Sequence, residues 1–301
     1  MTFLFEEYGD IIPDFSAFQE SLGKPLPTHI RINRLRVEPA TLIRLLEEKG
    51  ICLTRASQRY DTLCLAPGLS SPGNLLEYFL GYIHPQALTS AMAALVLSPA
   101  ENCSLLDMCA APGGKSSHCA DLMNNTGLII SNDLYTNRHP ALGHTLARMG
   151  VLNAVVTAYQ AQEFPLKHRF DFVLADVPCS CEGKFRKTET ASRYREVRGK
   201  ETLPDLQKKI LFRGFDLLKE NGRLLYSTCT YNPRENESVV DRLLNERDAE
   251  LFPIDIGIDL DAGLTEWNGE TYDKRLGKAL RFYPHRIDSV GFFMAGIGRR
   301  S

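Results

Sequence analysis

From Cys103 onward the chain alternates short apolar runs with helix-length segments, and this alternation constrains the fold more than any other feature. Strand-like runs fall at 103–108, 127–132, 153–157, 170–176 and 222–228, with helices expected at 115–124, 136–149, 203–219 and 234–246. Apolar, β-rich strands separated by helices predict an α/β fold: a doubly wound, mainly parallel sheet covered on both faces. The tail breaks the rule. Residues 279–283 and 291–295 are strand-like with no helix between them, so they read as an antiparallel pair closing one sheet edge. Residues 1–80 read as a smaller α+β module and 81–301 as the main domain. The module holds a basic strand at His29-Ile30-Arg31-Ile32-Asn33 and a helix opening at Glu38-Pro39, with Leu42, Leu45 and Leu46 on one face and Gly50 as its stop. Pro67 to Gly73 reads as loop, and Gln86 to Leu97 as an apolar lead-in helix.

In a sheet of this kind the crevice outside the carboxyl ends of the strands binds ligands. Two cysteines are expected there. Cys179 follows Asp176-Val177-Pro178 at the end of one strand, and Cys229 follows Tyr226-Ser227-Thr228 at the end of the next. Two thiols beside a carboxylate suit attack on an electrophilic ring better than a structural disulfide. The plain alternative for any free cysteine is a small buried hydrophobe, and that reading is preferred for Cys52, Cys64, Cys103 and Cys119.

The first strand-to-helix turn, Asp107-Met108-Cys109-Ala110-Ala111-Pro112-Gly113-Gly114-Lys115, has the small residues and helix start that bring backbone N–H groups close to a ligand. Three readings compete. A phosphate loop needs glycine where Cys109 stands, and no Gly-x-Gly-x-x-Gly is present. The third reading is a nucleoside-plus-carboxylate ligand of the S-adenosylmethionine shape. Asp133, at the end of the next strand, favours the third, because an acid there can hold ribose hydroxyls; its plain alternative is a turn or cap aspartate.

Bulk properties narrow the class. The eight cysteines show no Cys-x-x-Cys pair and no histidine at zinc spacing, so free thiols in a reducing compartment and no metal are expected. No basic-then-apolar leader opens the sequence and no apolar run approaches a membrane span, so a cytoplasmic, non-membrane protein is expected. A net charge of −2 leaves room for a local basic patch. Lys184, Arg186, Lys187, Arg193, Arg195, Arg198 and Lys200 form one such run, and Arg31, Arg34 and Arg36 a smaller one. A solvated face is the bland reading of each.

Together Asp107 to Lys115, Asp176-Val177-Pro178-Cys179 and Ser227-Thr228-Cys229-Thr230 resemble the RNA cytosine-5 methyltransferases of the Fmu/Sun (NSUN) type, in the same order and spacing. Arg31 to Asn33, Gln86 to Ala94, Phe282 to Arg286 and Gly291 to Ala295 extend the resemblance over nearly the whole chain. It implies a seven-stranded, Rossmann-like class I methyltransferase sheet with one antiparallel C-terminal strand, and S-adenosylmethionine as cofactor. Cys109, Ala110, Ala111, Pro112, Gly113, Gly114 and Lys115 would wrap the cofactor, Asp133 would hold its ribose and Arg138 would stand nearby. Asp176 would face both cofactor and base. Gln160 replaces the family's usual aspartate at the adenine amino group, an acceptor without the charge; Cys181 stands where glycine is usual, and Asn221 where a first glycine is common.

The resemblance further implies that Cys229 attacks C6 of cytosine and that Cys179 assists release. Asp176 would grip the base amino group and N3, best as a carboxyl able to supply a proton, and Lys115 would favour the thiolate or position the base. RNA, ribosomal or transfer, is the expected partner, with Arg31, Arg34, Lys184, Arg186, Lys187, Arg193 and Arg195 as candidate phosphate contacts, and Phe185 and Tyr194 either stacking on bases or anchoring the loop. The rivals are the same chemistry on DNA, a silent RNA-binding protein of this fold and, last, a phosphate-loop NTPase.

Overall fold

The computed structural model describes residues 4–186 and 203–299. The N-terminal part builds a four-stranded antiparallel sheet from β1 (His29–Ile32), β2 (Thr54–Arg55), β3 (Leu63–Leu65) and β4 (Ile83–Pro85), in the order β2-β3-β1-β4. Its last strand lies just past residue 80. Helix α1 (Phe15–Leu22) precedes this sheet and α2 (Pro39–Glu47) lies within it, with Pro39 in the first turn, Leu42 and Leu46 fully buried and the chain turning at Gly50 with a positive φ of 76°. Leu45, expected on the same face, is 37% exposed. A short helix, α3 (Leu76–Phe79), leads into β4. Residues 5–22 pack elsewhere: Phe5, Tyr8, Ile12, Phe18 and Leu22 form an aromatic-rich cluster with Tyr231 and Tyr283.

The main sheet contains β5 (Ser104–Asp107), β6 (Leu128–Asn132), β7 (Ala154–Thr157), β8 (Phe170–Asp176), β9 (Leu218–Thr228), β10 (Ala249–Leu251) and β11 (Asp261–Ala262). A two-stranded hairpin, β12 (Glu266–Trp267) and β13 (Glu270–Thr271), stands apart, and β14 (Leu280–Phe282) and β15 (Phe292–Arg299) complete the sheet. Strand order is β11-β14-β15-β9-β8-β5-β6-β7, with β10 paired to β15. Strands β5 to β9 run parallel, and β15 runs antiparallel between β9 and β14. The seven expected strands are therefore present in a mostly parallel sheet, extended by the short β10 and β11.

Helices cover both faces because both faces are apolar. On one side α4 (Leu88–Leu97), buried nearly all round, and α5 (Gly114–Leu122) pack with Leu105, Ile129, Leu174 and Leu225. Helix α6 (His139–Met149) lies beside α5 and seats Leu142 and Leu146 against Ala110 and Ala111. On the other side α7 (Leu203–Asp216) and α8 (Glu237–Glu246) pack with Leu106, Val173, Leu224 and Tyr226. A last short helix, α9 (Pro284–Ile287), joins β14 to β15.

One boundary differs from expectation. The helix expected to reach 219 stops at Asp216, and the strand expected from 222 starts at Leu218. Leu218 pairs with Phe170 while Arg223 pairs with Phe172, so the exposed Lys219-Glu220-Asn221 segment loops out of the ladder. Burial of Leu217 and Leu218 outweighs the helical pattern there. No helix among the described residues is long and apolar enough to cross a membrane.

Candidate active site

The chain enters β5, fills one half of the sheet through β6 and β7, then returns to β8 on the other side of β5. This reversal opens a crevice between the carboxyl ends of β5 and β8, the place where such sheets bind ligands. A cavity of about 160 Å³ lies there, with Asp107, Cys109 to Pro112, Gly114 and Lys115 on one wall. Asp176 closes it from β8, and His84, Gln86 and Ser90 line the remaining side.

The loop from Cys109 to Lys115 is shaped by glycine. Gly113 has φ +101°, and a Cβ there would also stand 3.0 Å from the Leu142 side chain. Asp133 fastens this loop: its Oδ2 accepts from the Ala111 amide at 3.1 Å and pairs with Arg138 at 3.0 Å, while Oδ1 accepts from the Tyr135 amide. Asp107 accepts from Ser116 Oγ at 2.6 Å, and its other oxygen is buried without a well-formed hydrogen bond. Burial pushes the Asp107 carboxyl up to about 7, against the Ser116 hydrogen bond. Gln160 is exposed, and its Oε1 accepts from Gln162 Nε2 at 2.9 Å.

Register brings the two cysteines together. Asp176 on β8 pairs with Ser227 on β9, and Ser227 Oγ donates to Asp176 Oδ1 at 2.8 Å. Cys179 lies three residues beyond the first and Cys229 two beyond the second, so both chains arrive at one point. Their sulfurs are 3.3 Å apart, and the Cys229 amide points at Cys179 Sγ at the same distance. Lys115 Nζ donates to Asp176 Oδ2 at 2.7 Å and to Ser90 Oγ at 2.9 Å, with its ammonium over the Phe292 ring. The four candidate catalytic side chains therefore form one cluster.

Cys181 joins it: the sulfurs of Cys179, Cys181 and Cys229 all lie within 4.8 Å of one another. Hydrogen bonding to Cys181 and then to Cys229, with burial behind them, pushes the Cys179 thiol well above its ordinary value. The Cys229 thiol rises to about 12, because Cys181 and burial outweigh the hydrogen bond from Cys179 that favours its thiolate. Cys181 is lowered by the hydrogen bonds that Cys179 and Cys229 make to its charged form. Lys184 is raised, chiefly by the charge of Cys229.

Several supporting residues carried no signal in the sequence. Gln207 Nε2 donates to Pro178 O and to Glu235 Oε2, both at 2.8 Å, and Glu235 accepts from the Ser180 amide at 3.0 Å. Glu182 accepts from Thr230 Oγ1 at 2.7 Å and from Tyr8 at 3.2 Å. These contacts fix the turn after Pro178 from helices and loops distant in sequence. Ser227 stands inside the Ser227–Thr230 motif, and its hydroxyl holds Asp176 in place.

The basic candidates separate. Arg31 is fully buried, bonded to Ser117 at 2.9 Å and paired with Asp121 at 3.4 Å. Arg186 is 4% exposed, pairs with Asp288 and donates to the carbonyls of Pro25, Pro284 and Ser289. Both are corrected: their guanidinium groups tie segments together and do not face phosphate. Arg34 is exposed but paired with Asp61, and Lys184 is exposed beside the sulfurs. Phe185 packs edge-on against Phe5 at 5.9 Å and anchors its loop. Lys187, Arg193, Tyr194, Arg195, Arg198 and Lys200 lie outside the described residues. Arg31→Met is expected to lower unfolding free energy by about 3 kcal/mol, since Asp121 would be left buried without its cation. Urea denaturation measures the loss, and an unchanged salt slope of RNA binding in the folded variant would confirm the structural role.

Comparison with known proteins identifies the family. Residues 94–298 match the family described as 16S rRNA methyltransferase RsmB/F. A tRNA (cytosine(49)-C(5))-methyltransferase of Pyrococcus abyssi is 36% identical over 98% of this chain and 94% of its own. A mouse 28S rRNA (cytosine-C(5))-methyltransferase is 33% identical over 97% of this chain, which spans only 38% of that longer protein. The crystal structure of a methyltransferase homolog from Pyrococcus horikoshii superposes with a TM-score of 0.86 at 30% identity, covering 98% of this chain and 94% of that one. The chain belongs to the RsmB/F family of S-adenosylmethionine-dependent RNA cytosine-C5 methyltransferases.

Proposed function

We propose that the chain methylates C5 of a cytosine in transfer or ribosomal RNA through a covalent adduct on Cys229, with Cys179 assisting release. The observation that carries this reading is the 3.3 Å approach of the two sulfurs beside the Lys115–Asp176 pair. S-adenosylmethionine, when bound, supplies the methyl group. The residues fit it: the orphaned Asp107 oxygen faces a buried polar cradle, and the first amides of α5 open onto the same cavity. Cys109 to Lys115 would wrap the cofactor and Asp133 with Arg138 would hold the ribose side. Gln160 Oε1 would accept from the adenine amino group once it releases Gln162.

Unaided, C5 of cytosine is a weak nucleophile. Addition of the Cys229 thiolate to C6 moves the C5–C6 electron pair toward C5 and calls for a proton at N3. Asp176 faces the amino group and N3, and the proton comes through its pair with Lys115. Lys184 favours the thiolate by its charge. After methylation Cys179, as its thiolate, takes the C5 proton; that C–H electron pair restores the C5–C6 double bond, the C6–S bond breaks to return the Cys229 thiolate, and N3 gives its proton back to Asp176. Asp176→Asn is expected to lower kcat by about 10²–10⁴-fold while changing KM for RNA far less, as read from initial rates of methyl transfer.

Tritiated S-adenosylmethionine with RNA or DNA tests the substrate class, and label appearing only in DNA would overturn the proposal. Bisulfite sequencing of RNA from a deletion strain then identifies the cytosine. The near-complete coverage of the P. abyssi tRNA enzyme makes transfer RNA the first RNA to assay.

A further inference from the structure

We infer that Cys179, Cys181 and Cys229 form a three-thiolate site for a soft divalent cation of the zinc class, and that an ion seated there reversibly silences methyl transfer. The silencing rests on the reading of Cys229 as nucleophile; the ion site does not.

Three sulfurs bound to one tetrahedral zinc ion at about 2.3 Å stand about 3.8 Å from one another. Here all three lie within 4.8 Å of one another and the Cys179 and Cys229 sulfurs are 3.3 Å apart, a spacing close to that of three sulfurs around one ion. Thiolates select zinc-like ions over magnesium or manganese, and three protein ligands leave a fourth position open to water. The sequence hid this site because the ligands follow neither Cys-x-x-Cys nor Cys–His spacing.

The third sulfur is held at a conformational cost. Cys181 has φ 63° and ψ 21°, the left-handed region that glycine occupies freely. Six of the nine non-glycine described residues with positive φ are Asn or Asp, whose side chains tolerate that region; cysteine has no such advantage. Its loop is stitched in place: the Gly183 amide donates to Cys229 O at 2.9 Å, and the Gly291 amide to Gly183 O at 2.8 Å. Gly183 has no room for a side chain, since a Cβ would stand 2.2 Å from Gly291 O. The loop thus fastens Cys181 beside the other two sulfurs, although no step of methyl transfer uses it. Lys184, whose charge acts on all three sulfurs, offsets the net negative charge of three thiolates around a divalent ion.

Cobalt(II) is the probe, added to the full chain reduced with a phosphine. A thiolate-to-cobalt charge-transfer band in the near ultraviolet is expected, bleached by zinc, which binds the same ligands more tightly. In parallel, zinc should inhibit methyl transfer and a chelator should restore it. Cys181→Gly relieves the backbone and removes the third sulfur; measured against its own zinc-free rate, it should lose the band and raise the zinc concentration for half-inhibition at least tenfold. Cys181→Ser, which keeps the shape and removes the soft donor, should do the same. Absence of the band in the parent, or a band and zinc sensitivity unchanged in both variants, overturns the site. A band accompanied by undiminished transfer leaves the ion site standing and overturns the silencing, together with the assignment of Cys229.

Discussion

Cys229→Ala is expected to reduce methyl transfer by about 10⁴-fold or more while leaving cofactor affinity within a few-fold of the parent. The size follows from the chemistry. Without a thiolate on C6, the C5 carbon keeps its aromatic electron distribution and has little capacity to take a methyl group, and no other described side chain besides Cys179 and Cys181 offers sulfur at that point. Cofactor binding is spared because Cys229 does not line the cavity between β5 and β8. Loss of one buried sulfur also costs only about 1 kcal/mol of stability, too little to unfold a domain of this size. Single-turnover transfer with tritiated cofactor measures the first quantity and calorimetric titration the second. Transfer within tenfold of the parent would remove Cys229 from the role of nucleophile.

The complementary variant behaves differently. Cys179→Ala keeps the attacking sulfur but removes the group 3.3 Å from it, so addition and methylation proceed while elimination slows. The enzyme should then become trapped on its product, giving a covalent protein–RNA band on a denaturing gel and a turnover number near one. Addition of cofactor should strengthen the band, because the methylated adduct is the species that waits for release. The same band should vanish in the double variant with Cys229→Ala, which identifies the bonded sulfur. Free turnover by Cys179→Ala without any adduct would assign release to another group.

Much of this protein was legible in its sequence because strand periodicity and turn chemistry are local. The alternation after Cys103 predicted the parallel sheet, Gly113 marked the backbone turn that lines the cavity, and the two strand-like runs of the tail gave the antiparallel β14–β15 pair, although the short helix α9 joins them where no helix was expected. Errors occurred where burial competes with local pattern, as at Leu218, where a strand replaced the expected end of a helix. Positive charge misled more. Arg31 and Arg186 resemble solvent-facing cations in a linear reading, yet their partners Asp121 and Asp288 lie about 90 and 100 residues away. Glu235 and Gln207, which hold the Pro178 turn, had no marker at all, since each acts through contacts with residues distant in sequence.

Taken alone, the sequence determined which chemical groups stand at the strand ends: two cysteines, an aspartate, a lysine and a glycine-shaped loop. Tertiary structure decided their distances. The pairing of Asp176 with Ser227 sets the 3.3 Å between Cys179 and Cys229, and the left-handed turn at Cys181 adds a third sulfur that no spacing rule anticipated. The physical reason is that strand register and loop closure are long-range properties, fixed by which apolar faces pack together, whereas residue type and local turn geometry are written in the chain itself.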